Sequence, residues 1–172
     1  MEAGSLNPVL RNSQSSHHTI RSQFHPDCVV CSPTNPRGLN ITFDLDQEEM
    51  LTGTFCLDQT AQGYPGLSHG GVIAAVLDGV MGHWLFAHSV VAVTIELNVS
   101  FRQPLHLEKD ARAEAWLKEV SDPMYVLKAH ICQEDRVVAR ATGRFVHNPD
   151  IASTSGTNIQ LQTTKNSGVA GF

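Results

Sequence analysis

Three kinds of residue that can act together on a carbonyl lie close along the chain: His69, the pair Gly70 and Gly71, and Asp78, within the stretch GYPGLSHGGVIAAVLDGVMG over 63–82. Val72, Ile73, Val76, Leu77, Val80, Met81, Trp84 and Leu85 recur at three- and four-residue steps, which predicts a helix beginning just after His69. The first N–H groups of such a helix have no partner within it and stand at the positive end of its dipole, where they can hold an oxyanion. Gly70 and Gly71 leave room for a substrate carbonyl to reach that backbone. A plain tight loop entering a helix also accounts for the tripeptide. Asp78 is harder to explain as structure, because between His69 and Phe101 the only carboxylates are Asp78 and Glu96. An ionised carboxylate on an apolar helix is costly unless it is paired, protonated or functional. As a functional group it is a base or a nucleophile.

The helix must be covered on every side. The face opposite its apolar stripe carries Gly71, Ala74, Ala75, Asp78, Gly79 and Gly82 rather than Lys or Glu, and interior glycines cost a helix roughly 1 kcal/mol each relative to Ala. Small residues there predict close approach of another backbone or a ligand. A membrane span is the rival explanation, but Val72 to Phe86 falls short of the ~20 residues needed and holds Asp78 and His83. Before the helix, alternation over Leu39 to Leu45 predicts a strand, with a second strand from Met50 to Leu57 folding back on it as a hairpin. After it, Val91 to Arg102 alternates without a break, placing Thr94, Glu96 and Asn98 together on the polar face. Three more strands, 111–120, 124–133 and 136–147, are joined by short turns and predict an antiparallel meander. Two strands, a long helix and four strands predict an α+β domain, an antiparallel sheet wrapped around one central helix.

In this combination, GYPGLSHGGVIAAVLDGVMG and the downstream VTIELNVSFRQPL resemble the hotdog-fold acyl-CoA thioesterases of the phenylacetate-pathway and 4-hydroxybenzoyl-CoA type, over about residues 25–148. The resemblance implies that His69 and Gly70 form the carbonyl-binding corner, that Asp78 is base or nucleophile, and that Thr94 orients water or that carboxylate. Some members use an asparagine upstream of the histidine; here Gln62 offers the only amide in that stretch. The implied substrate is an acyl-CoA, hydrolysed to acid and free CoA with no cofactor and no metal. Two other readings stay open: a hotdog module that binds acyl-CoA without hydrolysing it, and a hotdog hydratase or dehydratase using His69 with a carboxylate.

Helix geometry adds a constraint. Gly70 and Asp78 are eight residues apart, roughly 12 Å along a helix axis. Two groups acting on one carbonyl must each lie about 3 Å from it, so one chain cannot supply both. The expectation is a homodimer with shared active sites, alone or as a dimer of dimers, with Gly71 and Asn98 among the substrate contacts. Arg136, Arg140 and Arg144 recur at four-residue steps, and Arg144 is the candidate for CoA phosphate, although solvated strand charge explains the set as well.

Other features carry less. His25, Cys28 and Cys31 have knuckle-like spacing, but a four-ligand zinc site needs a further ligand, and Cys56 and Cys132 fall in strand patterns; the expectation is no metal. His83 and the other scattered histidines show no metal spacing as a set. With 172 residues, 41% hydrophobic and 17% charged, the chain can bury a full core, and a formal charge of −5 without a basic stripe argues against nucleic acid. No basic segment followed by an apolar one opens the sequence, so the expected location is cytoplasmic. Residues 1–24 are expected as a polar N-terminal tail, 25–149 as the hotdog domain and 150–172 as a flexible C-terminal tail.

Overall fold

A computed structural model describes residues 13–46, 48–148 and 151, the side chains of 13–16 excepted. The elements in chain order are α1 (Ser13–Phe24), β1 (Asp44–Leu45), β2 (Leu51–Cys56), α2 (Gly70–Ala87), β3 (Ala92–Phe101), β4 (Asp110–Ser121), β5 (Met124–Gln133) and β6 (Arg136–His147). The six strands form one antiparallel sheet in the order β1-β2-β4-β5-β6-β3, and α2 packs against β2 through β6. This is the hotdog architecture expected from the sequence, with a second helix added.

The sheet can close around α2 because its inner face sets many small residues among the larger ones. Ala111, Ala113, Ala115, Ala129, Ala139 and Ala141 are all buried there, while the helix supplies the bulk with Val76, Leu77, Val80, Met81 and Leu85. At Gly143 the approach is close: a Cβ would lie 2.6 Å from the Phe145 ring and 3.0 Å from Met81 Cε. Irregular register between Thr94 and Glu96, Leu117 and Glu119, and Ile131 and Cys132 bends and twists the strands further. The β5–β6 hairpin turns on Glu134 and Asp135, both at positive φ, the conformation that suits the sheet's twist in a two-residue turn. By length and a mean hydropathy of 1.4, α2 could cross a membrane; its burial beneath the sheet accounts for that apolarity.

Two expectations change. The strand over Leu39 to Leu45 survives only as β1. Ile41 and Phe43 are buried and their neighbours exposed, as the alternation requires. But Asn40 adopts φ 50°, and Leu39 and Ile41 donate their N–H groups to Val29 and Val30 carbonyls instead of to a strand. The segment 13–24, expected within a tail, forms α1. Its Ile20 is 7% exposed and packs with Phe86 and Val91, and Ile151, expected within the C-terminal tail, joins the same cluster. Residues 1–12, 149–150 and 152–172 lie outside the described residues.

Candidate active site

His69 caps α2. Its backbone is extended (φ −66°, ψ 136°), its Nδ1 accepts the Gly71 N–H at 2.9 Å, and its carbonyl accepts those of Val72 and Ile73. Among the described residues, this leaves the Gly70 N–H as the helix-start donor with no protein acceptor. The imidazole also fills the space a Cβ at Gly71 would need, at 3.0 Å. Of the two glycines expected at the carbonyl corner, Gly70 therefore keeps a donor to offer, and Gly71 is committed to the cap.

Gly70 and His69 line a cleft of 610 Å³ with Tyr64, Ile73, Phe101 and Leu105. Its wall is stitched by Ser68 N–H to the Leu105 carbonyl (2.9 Å), and by Gly66 N–H to Gln62 Oε1 (2.9 Å). Gln62 thus shapes the loop and does not line the cleft. Phe101 and the segment after it, where Gln103 and Pro104 end the strand pattern, form the rest of the wall. The sequence offers these residues as part of the VTIELNVSFRQPL motif; their adjacency to Gly70, with the Phe101 ring 3.4 Å from where a Gly70 Cβ would sit, is a tertiary fact.

Two turns along α2, Asp78 is half-buried, and Thr94 Oγ1 donates to its Oδ1 at 2.8 Å. Burial pushes the Asp78 carboxyl above its ordinary range; the Thr94 bond and the His25 ring oppose that rise, and Cys28 adds to it. The pairing with Thr94 depends on a bulge. Thr94 lies opposite the buried Phe145, whereas Glu96 lies opposite the exposed Arg144, with Ile95 as the extra residue. The alternation of β3 is therefore broken at Ile95, and Thr94 points in towards α2 while Glu96 and Asn98 point outward.

Arg144 and Asn98 belong to that outer face. Glu96 holds both, through Arg144 Nη1 at 3.3 Å and Asn98 Nδ2 at 2.7 Å. The structure thus brings together His69 with Gly70, and separately Asp78 with Thr94. Within one chain it brings neither pair to the other, nor to Asn98 or Arg144; Gln62 pairs with Ser68 beside His69, but its side chain turns to Gly66. β3 is an edge strand with Ile95 and Phe101 exposed at 52% and 54%.

A helix start with a spare N–H, set in a cleft, and a desolvated carboxylate further along the same helix lie within one hotdog domain. The model of the thioesterase superfamily matches residues 65–140, the span that holds both pairs. Solved structures share the fold. A thioesterase superfamily protein is 23% identical, with 84% of this chain and 68% of that one covered at a TM-score of 0.67. The PaaI protein of the Escherichia coli phenylacetic acid degradation operon is 15% identical, with 81% and 96% covered at 0.69. A hypothetical thioesterase of Streptococcus pneumoniae, solved with coenzyme A, is 17% identical, with 63% and 89% covered at 0.59. No curated protein sequence matches the chain.

Proposed function

We propose that the protein is an acyl-CoA thioesterase whose active sites form between two chains. The observation that carries this reading is the pairing of Thr94 with the half-buried Asp78 on a helix whose Gly70 N–H is left without an acceptor. The coenzyme A bound by the Streptococcus pneumoniae protein supports the substrate class. That protein has also been solved with an aspartate and a threonine each replaced by alanine, and their separation along that chain equals that of Asp78 and Thr94 along this one.

In the reaction, the thioester oxygen accepts the Gly70 N–H at the positive end of α2, where charge develops as the carbonyl carbon is attacked. Asp78 of the other protomer takes a proton from water, whose oxygen adds to that carbon, or adds directly to give an anhydride that water opens. Thr94 holds one carboxylate oxygen and leaves the second for this work. The C–S bond breaks, CoA leaves as thiolate and is protonated by solvent, and the free acid remains. A thiolate is a good enough leaving group to need no positioned acid.

The exposed edge of β3 supports the dimer. If two copies pair along it, antiparallel about a two-fold axis between Leu97 and Asn98, Thr94 of one protomer comes opposite Phe101 of its partner, the residue that walls the Gly70 cleft. The carboxylate and the N–H would then meet across the interface. A panel of aryl, short-chain and long-chain acyl-CoA esters with a thiol-detecting reagent tests the activity. Release of thiol that Asp78→Asn abolishes is expected; binding of the same esters without thiol release would overturn the reading.

A further inference from the structure

Behind Asp78, residues from two distant parts of the chain meet. One ligand-type atom from each of His25, Cys31 and His83 lies within 4.8 Å of the others. Cys31 is fully buried and His83 is 1% exposed. His83 Nδ1 is engaged by His17 Nε2 at 2.8 Å, while its Nε2 is buried with no hydrogen-bond partner. A buried imidazole nitrogen without a partner is costly, and a ligand would relieve that cost. The other nitrogen already has the outer contact that orients a metal-bound histidine.

The loop is shaped to match. Cys31 Sγ lies 3.7 Å from His25 Nδ1, against about 3.6 Å for sulfur and nitrogen on one tetrahedral zinc ion. Val30 N–H donates to Cys28 Sγ at 3.4 Å, which holds that thiol against the loop that carries Cys31. Arg21 Nη1 donates to the Cys31 carbonyl at 3.0 Å, and Val30 seats against Gly79, where a Cβ would come 2.7 Å from Val30 Cγ1. The further ligand that the His25-Cys28-Cys31 spacing lacks in sequence is His83, brought in by α2.

We propose that His25, Cys31 and His83 bind a divalent zinc-type ion that fastens the 25–31 loop to α2 beside Asp78, with Cys28, which lies outside that cluster, drawn in as fourth ligand when the ion binds. Two imidazoles and two thiolates suit a borderline-soft ion in a tetrahedral site. The thiol protons pass to solvent as the ion binds. With its ligands on both sequence segments, the ion is structural in this role and takes no part in the thioester reaction.

The test uses the whole chain, purified with its thiols reduced. Metal analysis is expected to find close to one zinc per chain. After removal by a chelator, added Co²⁺ should produce a thiolate-to-cobalt charge-transfer band together with the visible bands of a four-coordinate ion. Cys31→Ser and His25→Gln should lose these bands, and Cys132→Ser should keep them. Should Cys31→Ser fail to fold, Cys28→Ser, at a half-buried position, is expected to keep a weakened band. Absence of a thiolate band in folded protein would overturn the site. So would unchanged binding in His25→Gln, or isolation of Cys28 and Cys31 as a disulfide that leaves no thiolate to bind.

Discussion

Thr94 Oγ1 donates a 2.8 Å hydrogen bond to Asp78 Oδ1, joining the first residues of β3 to the middle of α2. That bond fixes the rotamer of a carboxylate that burial would otherwise leave in a poor environment for its charge. It also makes the roles of the two residues separable by experiment.

Asp78→Asn keeps the shape of the side chain and can still accept from Thr94, so the fold should persist. Basicity and charge are lost. The expected fall in kcat is about 100- to 10,000-fold, with KM changed little, as for a group acting in the transition state. Steady-state kinetics on the best thioester checks this; wild-type turnover would remove Asp78 from the mechanism.

Thr94→Ala should cost less, roughly tenfold in kcat, the scale of one hydrogen bond to a charged group. The bond favours the ionised carboxylate, so without it the Asp78 carboxyl rises further. The acidic limb of the pH–rate profile should therefore move to higher pH in Thr94→Ala. A purely structural threonine would lower stability and leave the limb where it was.

The same displacement makes a stability prediction for Asp78→Asn. The folded-state carboxyl lies above its ordinary value, chiefly through burial and against the Thr94 bond and His25, with Cys28 adding to the rise. The folded chain thus binds that proton more tightly than the unfolded chain. Stability is lost as pH rises through the two values, and the full cost is present above the folded one. Asp78→Asn removes the cost and should melt higher than wild type at neutral pH. The difference should shrink on acidification and vanish below about pH 3, where both states of the wild type are protonated. Thermal melts across that range test it, and a lower melting point at neutral pH would contradict it.

Where the pattern along the chain is strong and local, the elements follow from it. The periodicity of α2 survives intact and the last three strands keep their places, although β4 and β5 carry register shifts, because each element is long and its apolar face meets a core. The departures come from interactions between distant segments. α1 has few apolar residues of its own and is held by Ile20 against Phe86 and Val91. The strand over Leu39 to Leu45 is cut short because its N–H groups bond to Val29 and Val30. The bulge at Ile95 reverses which residues of β3 face the helix, so Thr94 joins Asp78 and parts from Asn98. His69 and Asp78 could be read from type and spacing. The cap that occupies Gly71, and the approach of His83 to His25 and Cys31, could not.

Gly143→Ala tests the closeness of sheet and helix. The added methyl would meet the Phe145 ring and Met81, both buried, with no open space to take up the strain. A loss of about 1 to 3 kcal/mol is expected, the range for overpacking a well-filled core, measured by urea unfolding. An unchanged midpoint would mean that the sheet can relax away from α2 at that point.

The shared site makes the most demanding prediction. Gly70 is the first residue of α2, where proline is tolerated, and the extended backbone of His69 is the conformation a following proline favours. Gly70→Pro should therefore leave the helix in place while deleting the N–H assigned to the thioester oxygen, and should lose most activity. In a dimer whose sites each draw Gly70 from one protomer and Asp78 from the other, Gly70→Pro and Asp78→Asn damage different halves. Each protein alone should be nearly inactive. Unfolded together and refolded at equal concentration, about half of the dimers are mixed, and each has one site with both halves intact, so about a quarter of wild-type activity should return. Sites contained within a single chain would give no recovery, because every chain in the mixture is defective. Mixed dimers confirmed by mass and still inactive would exclude the shared site.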